Sequence, residues 1–417
     1  MKNILLSAYA VSPTRGSEYS VGWNYVIELS KSNIVHLVCG VSGEHLGDTV
    51  ELEDYLKKNP IKNLYLHIVK PNQTINCINW FNKKGFGPAF YIAFKIWQKL
   101  VLEEAKVILR EYPIDIVHQY NPIGFREPGY LWLLQKPFVW GPIGGANFVN
   151  PILLHDKSFK TKILFLLKNF VTYLQLKYSF RVKKAALKAS KLIFCCTESM
   201  KNFEKFIGKN GVVIAEQAVP EINFNINTIN KIGRVLRIAQ IGRLNEHKNT
   251  RFLLEALSLI KNKKWHLSVI GDGILKDDLI KLSHKLEIED NITWYGIKTR
   301  NEIFDILPSI DLHALTSLSE ANTTVLYEAR LFGIPTISLD QNGMHDTLSN
   351  NQGILVPITS YRQTLQSFAD EIELLLDNHD LLEEYKKKTK KLVAKSTWSK
   401  KVIQYEEIYN ELVEVEC

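Results

Sequence analysis

The chain lacks any run of about 20 consecutive apolar residues, the length a helix needs to cross a bilayer, and this excludes a bundle of membrane spans. It has neither a G-x-G-x-x-G nor a Walker sequence, so the simple dinucleotide and ATP sites built on those loops lose support. Cysteine is scarce: Cys39, Cys77, Cys195, Cys196 and Cys417, an odd number without metal-like spacing, which reads as reduced thiols in a cytosol. Cys195 and Cys196 sit in the apolar run LIFCC as small buried strand residues. The opening MKNILLSAYAV reads as a first β-strand rather than a signal sequence, because its apolar run is short and Pro13 and a glycine-containing loop follow. With 417 residues, 46% hydrophobic and 23% charged, the composition suits two α/β domains of ordinary size in the cytoplasm.

The net charge of +8 is unevenly spread. Residues 156–191 hold ten Lys or Arg (Lys157, Lys160, Lys162, Lys168, Lys177, Arg181, Lys183, Lys184, Lys188, Lys191) against one acid, Asp156. Phe159, Ile163, Leu167, Phe170 and Leu174 recur there at helical spacing. Residues 157–191 therefore read as a basic amphipathic segment able to lie peripherally on the cytoplasmic face of an anionic plasma membrane, or as a helix packed on its own domain with a solvated basic face. A second candidate, residues 80–99, interleaves Trp80, Phe81, Phe86, Phe90, Tyr91, Phe94 and Trp97 with Lys83, Lys84, Lys95 and Lys99. No nucleic-acid motif accompanies the charge, and nucleic acid is not an expected partner.

Short apolar runs alternate with helical patterns. NILLSAYAV, IVHLVCG, LYLHIVK, IDIVHQY, FVWGPIGG and LIFCCT form one set of strands, and VLRIAQIGR, HLSVIGDG, ITWYGI, IDLHALTS, GIPTISLD and QGILVP a second. The expected organisation is a Rossmann-like domain over 1–215, a linker over 216–234, a second Rossmann-like domain over 235–395, and a C-terminal helix over 396–417 packing back on the first domain.

The densest polar chemistry is in SLSEANTTVLYEARLFGIPTI. Glu320 closes a loop and Glu328 sits inside the following helix, with Asn322, Thr323 and Thr324 between them as candidate caps. A strand, loop, helix and strand in this order place both acids at the carboxyl edge of a parallel sheet, where such sheets bind ligands. On the bland reading the acids decorate a solvated helix face. Three further segments point to the same edge. VLRIAQIGR ends at Gly242 and Arg243, and Lys248 follows before a helix; an Arg fork and a Lys point charge can converge on a diphosphate. Gly271 and Gly273 allow close backbone approach after the next strand, and Gly296 with Ile297 forms a loop whose backbone can read a base edge. In the first half, SPTRGSEYSVGW puts Gly16 in the loop after the first strand, where it permits a tight turn.

Taken together, IGRLNEHKN, VIGDG, the Glu320 and Glu328 pair and EARLFGIPTI occur in the order of the retaining glycosyltransferases of family 4, and the chain resembles that family most strongly over residues 235–358. The RGSE…GW and WGPIGG segments are similar to a subgroup acting in surface-polysaccharide assembly. The resemblance implies an α/β GT-B fold, two Rossmann-like doubly wound domains facing a central cleft. It implies that Arg243 and Lys248 hold the diphosphate and stabilise its growing charge, that Glu328 binds the ribose hydroxyls, and that Glu320 faces the donor sugar beside the N–H groups of Asn322, Thr323 and Thr324. Gly16 would lie near the phosphates, and His118, at the end of IDIVH, would approach the donor sugar. Where family members often carry a Gly after the first Glu, this chain has Ala321-Asn322-Thr323-Thr324.

The expected reaction is transfer of a sugar from a UDP- or GDP-sugar to a hydroxyl of a glycan or lipid-linked acceptor, with retention. No Asp-x-Asp occurs, which disfavours the metal-dependent transferase architecture, so cationic side chains are expected to take the metal's place, with no cofactor beyond the nucleotide-sugar co-substrate. A sugar-nucleotide epimerase or hydrolase of the same fold, and a noncatalytic partner of a membrane transferase, are the rival readings.

Overall fold

The computed structural model describes residues 1–221 and 235–414. The chain divides into two compact units, Met1–Ala146 with Tyr173–Glu216 and Trp398–Cys417, and Asn147–Thr172 with Gln217–Thr397. The linker expected at 216–234 lies outside the described residues from 222 on, as do residues 415–417 of the terminal segment.

The first unit is built on a seven-stranded parallel sheet: β1 (Asn3–Ala8), β2 (Ile34–Cys39), β3 (Leu64–Ile68), β4 (Ile116–Asn121), β5 (Phe138–Ile143), β6 (Lys191–Phe194) and β7 (Val212–Val213), in the order β3-β2-β1-β4-β5-β6-β7. Its inner strands are apolar on both faces, with Ile4, Leu5, Leu6, Val35, Leu37, Val117 and Val139 fully buried. Helices cover both faces of such a sheet, which is why these strands read as unbroken apolar runs rather than alternating ones. The helix Trp398–Glu414 belongs to this unit and buries Tyr405 and Tyr409.

The second unit holds a six-stranded parallel sheet: β8 (Leu236–Ile241), β9 (Trp265–Ile270), β10 (Ile292–Gly296), β11 (Leu312–Leu315), β12 (Thr336–Leu339) and β13 (Ile354–Val356), in the order β10-β9-β8-β11-β12-β13. In both sheets the chain works outward from the first strand in one direction, then returns and continues in the other. Each therefore has a switch point, between β1 and β4 and between β8 and β11, where adjacent strands send their loops apart.

The division corrects the expected boundary of the first domain. Residues 147–172 fall in the second unit, because Val149, Leu153, Leu154 and Phe165 join the same buried cluster as Leu236, Phe252 and Leu253. Asn169 fastens the segment onto itself, accepting from Val149 N at 2.9 Å and donating to Val149 O at 2.8 Å.

Candidate active site

At the carboxyl edge of the second sheet, hydrogen bonds between loops build a shared surface. The loop after β8, residues 242–249, is fixed to the loop after β11: Leu318 N donates to His247 O at 2.8 Å, and Thr316 Oγ1 donates to Asn249 O at 3.1 Å. Asn245 Oδ1 accepts from Lys248 N at 3.1 Å, folding the loop so that the Lys248 side chain returns toward the strand end. The loop after β12 joins through Gln341, whose Nε2 donates to Ser317 O at 2.8 Å. The loops after β8 and β11 flank the switch point, the place where an open parallel sheet leaves room for a ligand.

Glycine is required where backbones meet. Gly271 has φ +136°, and a Cβ there would sit 2.0 Å from Gly242 O. At Gly273 it would sit 2.3 Å from Leu244 O. Gly343, unremarked in the sequence, is tighter still: its N–H donates to Glu320 O at 3.0 Å, and a Cβ would lie 1.3 Å from Ala321 O. Alanine favours helix over glycine by about 1 kcal/mol, but a clash of this kind costs roughly 1–3 kcal/mol and displaces the loop carrying Glu320. Gly343→Ala is accordingly expected to lower the melting temperature and weaken ligand binding at this edge, as thermal unfolding with and without nucleotide will register.

The charged groups arrive on this frame. The Lys248 ammonium pairs with the Glu320 carboxylate, both mostly buried, and His247 Nε2 lies 3.7 Å from the same carboxylate. Burial pushes the His247 pKa down, with Glu320 working against that shift and the Lys248 and Lys168 cations adding to it. Arg243 is exposed, and no ion pair to it occurs among the described residues, so its guanidinium is available to an anion. Glu328 lies in the helix Thr324–Leu331 and is buried, with Oε1 accepting from Arg300 Nε at 2.9 Å. Burial raises its pKa, and Arg300 opposes the rise.

The polar residues between the two acids serve the loop's own structure. Asn322 is buried, its Oδ1 accepting from Tyr327 Oη at 3.0 Å and Thr347 Oγ1 at 3.2 Å. Thr324 Oγ1 accepts from Gln217 Nε2 at 2.9 Å. Thr323 is the N-cap residue but its side chain makes no capping hydrogen bond, so the side-chain cap expected among these three is not formed. Gly296 has φ +69°, a left-handed turn, and Ile297 beside it is 81% exposed.

In the first unit, two expectations need correction. Gly16 does not make the tight left-handed turn: the positive φ falls on Ser17, at 56°, and a Cβ on Gly16 meets no atom within 4 Å. His118 is not at a strand end. β4 continues to Asn121, which leaves His118 in mid-strand, paired with Leu6 and Val139, and fully buried. Its Nε2–H donates to Gly141 O at 2.7 Å, and Tyr409 Oη donates to Nδ1 at 2.5 Å, so both ring nitrogens are committed. The protonation pattern follows from the carbonyl, which can only accept. His118 thus anchors the terminal helix to the sheet through both ring nitrogens. What ties that unit's switch point together is Asn121, which bonds Ala10 N and O at 3.1 and 2.9 Å, and Glu18, which accepts from Ile123 N at 2.7 Å.

The buried histidines carry a pH signature. Burial holds the His118 and His313 pKa values down at about 3, and burial with neighbouring His67 holds that of His36 at about 4. In the unfolded chain each titrates near 6.5, so between that pH and the depressed value only the unfolded state takes up the proton. Stability from each is complete above about 6.5 and is lost as pH falls, by about 1.4 kcal/mol per pH unit for the unit that holds it. Urea midpoints measured at successively lower pH should fall accordingly, and His118→Gln, which cannot titrate, should flatten part of the slope.

Sequence reasoning missed Arg300, Lys157 and Gly343. Lys157 Nζ is buried between Asn249 Oδ1 at 2.6 Å, Asp156 Oδ2 at 3.1 Å and Glu246 Oε2 at 3.4 Å, bracing the loop after β8 from beneath. The left-handed Asn249, φ 54°, sits at the start of the helix Thr250–Leu259, where that brace holds it. Only Arg300 had a local signal, the Thr299 and Glu302 capping box that fixes where its helix begins.

Comparison with known proteins places this architecture. The chain is similar to the lipopolysaccharide outer core galactosyltransferase WaaB over 99% of this chain and 100% of that one, with a TM-score of 0.65 at 15% identity. The fold is GT-B. The GT-B structure of Anabaena HepE in complex with UDP is also similar, with a TM-score of 0.61 at 15% identity over 99% of this chain and 100% of that one. Residues 222–392, which include most of the second unit, match the family described as "Glycosyl transferases group 1". Among curated proteins, the N-acetylgalactosamine-N,N'-diacetylbacillosaminyl-diphospho-undecaprenol 4-alpha-N-acetylgalactosaminyltransferase of Campylobacter jejuni is 25% identical over 155 residues, 37% of this chain and 40% of that protein. The chain spans about two fifths of the length of the first curated relatives it matches.

Proposed function

We propose that this chain is a retaining glycosyltransferase that moves a sugar from a UDP- or GDP-sugar to a hydroxyl of a glycan or lipid-linked acceptor in surface-polysaccharide assembly. The observation that carries the proposal is the Lys248–Glu320 pair, with the exposed Arg243 on the same loop as Lys248, at the β8–β11 switch point of a GT-B fold. The similar proteins, a galactosyltransferase of the lipopolysaccharide outer core, a protein in complex with UDP and a transferase acting on a diphospho-undecaprenol, support the donor and acceptor classes.

Each group has a role that its chemistry allows. As the bond from the anomeric carbon to the diphosphate breaks, the sugar becomes oxocarbenium-like and negative charge collects on the departing phosphate. Arg243 and Lys248 stabilise that charge from fixed positions, the role a divalent metal has in Asp-x-Asp transferases. Lys248 has three N–H donors, so it can keep Glu320 while reaching a phosphoryl oxygen. Glu320, held by Lys248, faces the sugar, and Glu328, held by Arg300, accepts from the ribose hydroxyls. The departing phosphate takes the proton of the acceptor hydroxyl as that hydroxyl attacks from the face the phosphate leaves, which gives retention without a covalent glycosyl-enzyme. A transfer assay with isotopically labelled UDP- and GDP-sugars tests the proposal, with the anomeric configuration of the product read by NMR. Labelled sugar in the acceptor with the donor's configuration is the expected result. Free sugar at equal rates with and without acceptor would make the chain a hydrolase, and an epimerised donor would make it an epimerase.

A further inference from the structure

The helix Phe159–Tyr178 has an apolar face left exposed by the described residues. Phe165 and Thr172 turn inward and are buried. On the opposite side, Phe159, Ile163, Leu164, Leu167 and Phe170 are 80, 48, 63, 54 and 55% exposed. At 100° per residue these side chains fall within an arc of roughly 140°, so they form one surface rather than scattered exceptions. A helix apolar on both its inner and outer faces departs from the ordinary surface helix, whose outer face is polar. Contiguous exposed apolar surface of this kind marks a site of association.

The charge around it indicates with what. No Asp or Glu occurs from Lys157 to Thr197, while Lys160, Lys168 and Lys177 stand exposed along the same helix. A second copy of this surface would bring like charges together, whereas an anionic surface would neutralise them. Lysine stems can lie along the apolar face and carry their ammonium groups to lipid phosphates. At the helix's first turns the apolar surface deepens into a crevice of about 330 Å³, lined by Pro151, Ile152, Leu154, Leu166 and Tyr361, with Lys162 among its lining residues. No helix among the described residues is long and apolar enough to cross a membrane.

We propose that this helix docks in the plane of an anionic lipid bilayer, with Phe159, Ile163, Leu164, Leu167 and Phe170 entering the boundary between headgroups and acyl chains and its lysines engaging lipid phosphates. The crevice beside Leu166 accommodates part of an acyl chain. The inference stands on the helix alone and does not depend on the transfer reaction.

Sedimentation of the full chain with vesicles tests it. Binding is expected to vesicles of phosphatidylcholine containing phosphatidylglycerol, weakly or not at all to phosphatidylcholine alone, and to decline as salt is raised. Lys160→Glu with Lys177→Glu should weaken binding by about fivefold or more for each lysine lost. Leu164→Glu with Leu167→Glu should abolish it while leaving the melting temperature and nucleotide-induced stabilisation unchanged, since both side chains are exposed. Equal binding by wild type and the leucine variant, no binding to anionic vesicles, or a concentration-dependent dimer that the leucine variant dissolves would each overturn the proposal. Loss of nucleotide binding with vesicle binding intact would instead count against the proposed function and leave this inference standing.

Discussion

Replacing Lys248 with Ala is expected to lower the rate of sugar transfer by roughly 10²-fold, the loss typical when a fixed donor to a developing negative charge is removed. The effect should exceed that of removing a surface lysine because this ammonium is held in place. Its backbone is folded over by Asn245, its loop is braced by Lys157 through Asn249, and its charge is partnered by Glu320. Removing it also leaves the mostly buried Glu320 carboxylate without its ammonium partner, with His247 Nε2 at 3.7 Å. Some lost activity could therefore come from a displaced Glu320, and the double variant Lys248→Ala with Glu320→Gln separates the two causes. If Lys248 acts on the phosphate, the double variant is no better than the single one. If its sole task is to neutralise Glu320, the double variant recovers. Arg243→Ala should give a loss of tens-fold with no change in melting temperature, because Arg243 is exposed and bears no ion pair among the described residues.

Glu328→Ala is expected to reduce turnover by tens-fold or more and to raise the KM for the donor, since the proposed role makes it a charge-assisted acceptor for the ribose. The geometry lets the binding role be told from a structural one. Glu328 is buried and paired with Arg300, whose side chain is 42% exposed. A removed Glu328 leaves a guanidinium that water can still solvate, so the stability loss should be small beside the loss of donor binding. Arg300→Lys keeps a cation beside the carboxylate and should retain most activity. Glu328→Gln keeps the shape, keeps an acceptor oxygen and loses the charge, and its donor affinity should fall between those of wild type and Glu328→Ala. Equal losses for the Gln and Ala variants accompanied by equal unfolding would mean that Glu328 holds the helix and not the ligand.

Much of the fold could be read from the strand pattern, for a physical reason. Strands buried on both faces of a parallel sheet carry apolar side chains at most positions, and such runs stand out from helices with a polar face. The same feature concealed the end of β4. Asn121 looks like an exit from the sheet, yet it is buried, with its side-chain amide paired to Ala10 N and O. His118 consequently looked terminal and is central. β7 escaped notice because Val212–Val213 is only two residues long.

At the candidate site, the sequence drew attention to residues whose type states their chemistry: Arg243 and Lys248 between β8 and the next helix, Glu320 in the loop after β11, and Glu328 inside the helix Thr324–Leu331. The residues that hold them were not legible. Lys157 reaches Asn249 across 92 positions and Arg300 reaches Glu328 across 28, and no local pattern records either pairing. The placement of residues 147–172 in the second unit was hidden likewise, because Leu153 and Leu154 are apolar in either unit and only the packing decides which core they enter.

The account rests on the loops after β8 and β11 forming a cationic seat for a nucleoside diphosphate. Equilibrium binding of UDP and of GDP, measured by calorimetry on the wild-type chain and on the double variant Arg243→Ala with Lys248→Ala, tests that most directly. The account predicts that one of the two nucleotides binds the wild-type chain and that the double variant, still folded, loses at least 100-fold in affinity, about 2.7 kcal/mol. Failure of either nucleotide to bind, or equal binding by both proteins, would contradict it.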